Sequence, residues 1–296
     1  MGFGSYSASD WSKLKNSRNL SSDNKVNEIF KRTSCNPKFD PKYIGTRECF
    51  DSSDHPNTIP IVVGLDVTAS MGYLAVKVAS EALNDLIMKL YSTGAVEDPA
   101  LMCAAYGDYQ DRSPLQVTQF ESDIRIAEQL LDLYFENGGQ GEVAISCLWE
   151  FLAKHTNIDA INKRQEKGFL FTIGDDAEIR NEDIDETIER VIGDKPVSKS
   201  KRSTLDNILS EVQKKFHVFH IMIGGIGNED LLAGHKICIG KTEVDLLPQI
   251  ILSTIQMQKG KKLDEILNQW DEIQRPTIRK ALSDLALTDV GGAITL

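Results

Sequence analysis

The chain has 296 residues, 41% of them apolar and 26% charged, so it is long enough to bury a sizeable core and has the composition of an ordinary soluble globular protein. Its net charge of −11 excludes a general binder of nucleic acid or anionic membrane, which needs a basic face, and suits a cation better. Five scattered cysteines without a CxxC pair argue against a disulfide framework or a thiolate zinc site, and with no signal-peptide core and no run near the roughly 18 apolar residues of a membrane span, a cytoplasmic location is expected.

Residues 1–58 read as an N-terminal extension, polar and broken, helical near Asp10–Lys15 and Asp23–Lys31 and interrupted by the Pro-containing stretch Asn36–Pro41. Toward its end Asp51-Ser52-Ser53-Asp54-His55-Pro56 combines charge with a turn-former. His55, alone in a loop, is expected to be solvated. Next comes Ile61-Val62-Val63-Gly64-Leu65-Asp66, a short β-branched run of the kind that forms a buried parallel strand. Leu74, Val78, Ala82, Leu86 and Leu90 then recur at helical spacing, with Gly94 where a C-cap glycine belongs.

Between this strand and this helix lie Asp66, Thr68 and Ser70. Ligands of an open α/β sheet sit outside the carboxyl ends of its strands. Three oxygen-bearing side chains there suit a hard divalent ion such as Mg2+, which takes few protein ligands and keeps several waters. The other reading is that Asp66 and Ser70 cap the helix that follows.

Leu101–Tyr106 is the next strand, ending in Gly107-Asp108-Tyr109-Gln110-Asp111, and Leu115–Phe120 alternates as an antiparallel edge strand paired with it in a hairpin. A helix is expected over Ser122–Glu136, then the glycine-rich Gly138-Gly139-Gln140-Gly141, with Glu142 opening a further helix through Val143, Cys147 and Phe151. Lys167–Ile173 reads as a buried strand that delivers Gly174-Asp175-Asp176. Helices over Glu182–Ile192 and Thr204–Lys215 flank the basic stretch Lys195–Arg202, read as a charged linker. Phe216–Ile223 and the short Ile237–Ile239 are strands, and Val244–Gln258 a closing helix. His217 and His220 fall at odd and even places of their strand, so they face opposite sides and form no ligand pair. Residues 260–296 read as a helical appendage with helices near Leu263–Glu272 and Pro276–Leu287. The alternation predicts an α/β architecture over residues 59–259: a doubly wound, mostly parallel sheet with helices on both faces and one antiparallel edge strand.

The pattern Asp66-x-Thr68-x-Ser70-Met71-Gly72 resembles the metal-ion-dependent adhesion site (MIDAS) of von Willebrand factor type A (vWA) domains, with Thr68 in place of the first serine of Asp-x-Ser-x-Ser. The Gly107–Asp111 turn, the Gly138–Glu142 loop and Thr172-Ile173-Gly174-Asp175 are similar to those of the stand-alone bacterial and phage members of that family. The resemblance implies a Rossmann-like fold and a non-catalytic interaction module. Thr68 and Ser70 would hold a Mg2+, Mn2+ or Ca2+ ion directly, and Asp66 and Asp175 largely through water. Asp108 or Gln140 would complete the set or form its rim, Gln140 standing where the family commonly has Thr. The partner implied is a protein presenting Asp or Glu to the open position on the ion, with neither nucleic acid nor membrane engaged. Two other classes stay open: a haloacid-dehalogenase-like Mg-dependent phosphohydrolase using Asp66 as nucleophile, and a metal-free structural or scaffold protein of a phage or bacterial complex. Against the first, Asp66-Val67-Thr68 lacks the second aspartate most such phosphatases use.

Overall fold

The computed structural model describes residues 4–139, 142–175, 177–178, 181–195, 203–224, 232 and 234–285. Its strands are β1 (Arg47–Cys49), β2 (Ile59–Asp66), β3 (Pro99–Tyr106), β4 (Leu115–Val117), β5 (Glu142–Val143), β6 (Thr156–Ile158), β7 (Gly168–Gly174), β8 (Ala177–Glu178), β9 (Phe216–Ile223) and β10 (Lys236–Ile239). Six of them form the main sheet in the order β10-β9-β7-β2-β3-β4. Every neighbour in it is parallel except the β3/β4 pair. The doubly wound α/β class read from the sequence is therefore the observed one. The cause lies in β2, β3 and β7, where every residue is buried: strands covered on both faces need continuous apolar runs rather than alternation.

Helices cover both faces. On one, Val63 and Ile173 meet Leu83 and Leu86 of the helix after β2 and Leu247 and Ile251 of the helix Leu247–Gln258. On the other, Gly64 lies so close to the helix Ile145–Lys154 that a Cβ there would sit 2.8 Å from Leu148 Cδ2. Val63 and Gly64 alternate across the strand, which is why adjacent residues serve different helices. The helix after β2 runs Gly72–Lys77, passes through a π-helical turn at Val78–Ala82 and continues as Leu83–Thr93 to Gly94, whose φ is +60°. A glycine carries that left-handed cap without Cβ strain.

The N-terminal residues are part of the same packing. Trp11 and Leu14 of the helix Ala8–Arg18, together with Phe30 and Phe39, join the core cluster of the sheet, and β1 pairs in parallel with β6. The second helix expected here is a single turn, Val26–Ile29. His55 is a correction: it is 4% exposed, not solvated. Its Nδ1 donates to Asp98 Oδ1 at 2.5 Å and its Nε2 to the Gly4 carbonyl at 3.1 Å, just before β3 and hence at the opposite ends of the strands from Asp66.

Three other expectations give way to side-chain competition. The helix expected over Ser122–Glu136 spans only Arg125–Leu130, because Gln116 takes the Tyr134 backbone instead, accepting from its N–H at 2.9 Å and donating to its carbonyl at 2.7 Å. Glu142 does not open a helix. The backbone of Tyr109 donates to the Glu142 carbonyl at 3.2 Å and Ala144 donates to Gly107 at 3.1 Å, so residues 142–143 pair laterally as β5 with β8 and the helix starts at Ile145. After residue 260 the helices are Leu263–Leu267 and Arg275–Leu282, with Trp270 Nε1 between them donating to Ser253 Oγ at 2.9 Å. Gln140, Asp176, residues 196–202 of the basic stretch and residues 286–287 of the last expected helix lie outside the described residues. All five cysteines are free thiols, and among the described residues no helix is long and apolar enough to cross a membrane.

Candidate metal centre

The chain enters the sheet at β2, builds outward to β4, then crosses back to β7 on the other side of β2. The carboxyl ends of β2 and β7 thus flank the point where the strand order reverses, where an open α/β sheet leaves a crevice. The register pairs Leu65 with Ile173, which sets Asp66 beside Gly174 and carries Asp175 to the turn that follows β2.

In that turn Asp66 is 1% exposed, and its Oδ1 accepts from the Thr68 backbone N–H at 2.8 Å and from Thr68 Oγ1 at 2.6 Å. Neither the 3-10 turn Ala69–Met71 nor the helix after it has a side-chain cap, so Asp66 shapes the loop rather than capping the helix. Ser70 Oγ lies 3.2 Å from Thr68 Oγ1 and donates to Asp175 Oδ1 at 2.8 Å. The shorter bonds assign both hydroxyl protons to carboxylates, leaving Thr68 and Ser70 with their lone pairs side by side. The result is a line of oxygens from two loops, buried at Asp66 and Thr68 and open to solvent at Ser70.

Two carboxylates and two neutral hydroxyls, without nitrogen or sulfur, form a donor set that fits a hard divalent cation. Among the described residues no cluster of three or more His, Cys, Asp or Glu is placed to hold a metal; here the hydroxyls stand where such a cluster has further acids. Two glycines make the crevice possible. A Cβ at Gly174 would lie 2.8 Å from both Asp66 Oδ2 and Tyr106 Oη. Gly139, at φ +141°, passes over Thr68 with its Cβ position 3.5 Å from Thr68 Cβ, while the Gly138 carbonyl accepts from Ala69 N at 3.0 Å. The glycine loop is thereby fastened across the Asp66–Ser70 turn.

Asp108 lies in the neighbouring loop, 1% exposed, its Oδ1 accepting from Gln110 N at 2.8 Å. Next to it, burial and then the carboxylates of Glu136 and Asp108 push Asp111 up to about 6. The Arg190 guanidinium donates to the carbonyls of Tyr109 and Asp111, the latter at 3.2 Å. Gln140 is the one candidate whose place is not described.

Sequence reasoning missed Lys241. Its Nζ lies 3.6 Å from Asp175 Oδ2, and its side chain, 57% exposed, arrives from the turn after β10. No local pattern links the two positions. Tyr106 was legible in principle, because an in-register parallel neighbour must place its last residue opposite Asp66, and the register pairs them. Tyr73, 40% exposed, borders the site, where burial and then Asp175 raise its phenol above the ordinary range.

Among solved structures the chain is similar to the pilus adhesin SpaC from Lactobacillus rhamnosus GG, at 10% identity and a TM-score of 0.50, over 70% of this chain and 32% of the adhesin. It also matches the vWF domain of the type V pili tip protein Mfa5 from Porphyromonas gingivalis, at 12% identity and a TM-score of 0.42, over 69% of this chain and 97% of that one. A third match is proximal thread matrix protein 1 from the mussel byssus with a zinc-occupied MIDAS motif, at 13% identity and a TM-score of 0.43, over 71% and 50%. At these identities the likeness is one of fold. The chain spans about a third of the adhesin's length. No sequence family matches the chain, and neither does any curated protein.

Proposed function

We propose that this chain is a vWA-like interaction module of the stand-alone bacterial or phage type, acting in the cytoplasm, that holds a divalent cation and through it binds an Asp or Glu of a protein partner. The observation that carries the reading is the line of oxygens from Asp66 through Thr68 and Ser70 to Asp175, assembled from two loops at the strand-order reversal. Thr68 and Ser70 would supply the hydroxyls, Asp66 and Asp175 the carboxylates, and Mg2+, Mn2+ or Ca2+ the electrophilic position that an acidic side chain completes. Neutral hydroxyls leave most of the cation's charge available, so an otherwise acidic chain can attract a carboxylate at this one place. Lys241 adds a positive charge beside Asp175 and, being largely exposed, can yield that carboxylate to a cation.

Asp66 is buried with Oδ1 engaged by Thr68, a placement that orients the loop and does not present a nucleophile, and this favours binding over phosphohydrolase chemistry. The test is capture of a partner by wild type, Ser70→Asp and Thr68→Ala, each with Mg2+ and with chelator. Wild type should capture in Mg2+ alone. Ser70→Asp should keep the cation, measured by calorimetry, and lose the partner because a third carboxylate quenches the charge. Thr68→Ala should lose both. A partner retained on all three baits regardless of chelator, or Asp66-dependent turnover of p-nitrophenyl phosphate, overturns the proposal.

A further inference from the structure

A second cleft, of about 550 Å³, opens where the N-terminal residues meet the segment after β4, within the usual size of small-ligand sites. Arg18 and Lys38 stand exposed at its mouth and Arg47 forms part of its wall. The Arg47 Nη2 donates to two backbone carbonyls, of Lys38 at 2.5 Å and of Val117 at 2.8 Å. Its Nε is buried and has no hydrogen-bond partner. Among the described residues no carboxylate pairs with it, and burial alone pushes its guanidinium down to about 10.

That arrangement is out of the ordinary. A guanidinium withdrawn from water is normally paired with an anion, because carbonyl dipoles repay only part of the lost hydration, and an unsatisfied buried donor calls for a cause. Beside it, Gln119 Oε1 is a buried acceptor that also has no partner, on a residue whose backbone N–H is pinned by Gln129 Oε1 at 2.8 Å. Two acids line the cleft as well. Asp132 is already engaged by Asn36 Nδ2 at 2.8 Å and by Arg32 at 3.4 Å, and Glu128 is exposed at the rim. On a chain of net charge −11, this is a local excess of cations around an unpaired donor and an unpaired acceptor.

We propose that this cleft binds a small oxyanion bearing an adjacent hydroxyl, with the oxyanion on Arg47 Nε, Arg18 and Lys38 neutralising it from the mouth, and the hydroxyl donating to Gln119 Oε1. The chemistry is that of a hydroxy acid or of the phosphate monoester of a polyol, and it is independent of the metal centre. Isothermal titration in chelator, which silences that centre, would use citrate and glycerol 3-phosphate as the two sources of oxyanion, with tricarballylate as citrate without its hydroxyl.

At least one of the two probes should bind, and the one that does assigns carboxylate or phosphate. Lys38→Glu and Arg18→Glu, both at exposed positions, should each weaken it by about tenfold or more, the worth of one charge-assisted hydrogen bond, with unchanged melting in buffer alone. Arg47→Lys keeps the charge but not the Nε donor and should lose a similar factor. Absence of binding by both probes at millimolar concentration, or equal binding by wild type and all three variants, overturns the site. Equal affinity for citrate and tricarballylate overturns the role given to Gln119.

Discussion

Ser70→Ala separates ligation from folding at the metal centre. Ser70 is exposed, and its Oγ makes two contacts, 2.8 Å to Asp175 Oδ1 and 3.2 Å to Thr68 Oγ1. Exchanging such solvated hydrogen bonds for water costs about 0.5–1 kcal/mol. At about 2–4 °C per kcal/mol for a domain of this size, the variant should melt about 1–4 °C lower in chelator. The cation response should change far more. With Mg2+ at a hundred times its Kd, wild type gains RT ln 101, about 2.7 kcal/mol or about 5–10 °C. Losing one ligand and about a hundredfold in affinity brings the same Mg2+ concentration to the Kd, where the gain is RT ln 2, about 0.4 kcal/mol or about 1 °C. Paired melts of chelator-stripped wild type and Ser70→Ala across a Mg2+ titration measure both quantities. Equal Mg2+ responses would refute the assignment of Ser70 as a ligand, and a loss of about 3 kcal/mol in chelator would show that the hydroxyl serves folding instead.

Two further perturbations probe the frame around the site and the far end of the sheet. Gly174→Ala forces a methyl to within 2.8 Å of Asp66 Oδ2 and Tyr106 Oη, so it should cost about 1–3 kcal/mol in denaturant melts and weaken Mg2+ binding by displacing Asp66; an unchanged Mg2+ isotherm would show that Asp66 has no part in holding the ion. His55 has acceptors at both ring nitrogens, which only the protonated ring satisfies. Burial opposes that charge, but the bonds to Gly4 and Asp98 outweigh it and raise the pKa above its ordinary 6.5. A raised folded pKa contributes stability that is full below the unfolded value near 6.5 and is lost as pH rises through the folded value. Wild type should therefore lose stability relative to His55→Gln across that alkaline window, and hydrogen exchange at Tyr6, whose N–H is bonded to Ser122 at 3.1 Å, should quicken there; parallel pH profiles for the two proteins would dismiss the clasp.

Local pattern was enough to read the elements on which this protein is built. Continuous apolar runs at Ile61–Leu65, Leu101–Tyr106, Phe169–Ile173 and Phe216–Ile223 are strands because no amphipathic alternative buries both of their faces. Asp66, Thr68 and Ser70 were legible because they fall within one turn, and Asp175 because it ends a strand of the same kind. Their convergence was not legible in the same sense: it depends on β7 lying beside β2 in the register that sets Leu65 against Ile173, a choice made by the packing of the whole sheet. Where a side chain from elsewhere competes for backbone, as Gln116 does for Tyr134, propensity misjudged the helix, since periodicity carries no account of a distant hydrogen-bond partner. The burial of His55 against Asp98, the arrival of Lys241 at Asp175 and the unpaired guanidinium of Arg47 belong to tertiary structure for the same reason. Each is a relation between charges brought together by the fold, and charge acts through distance in space, which sequence spacing does not encode.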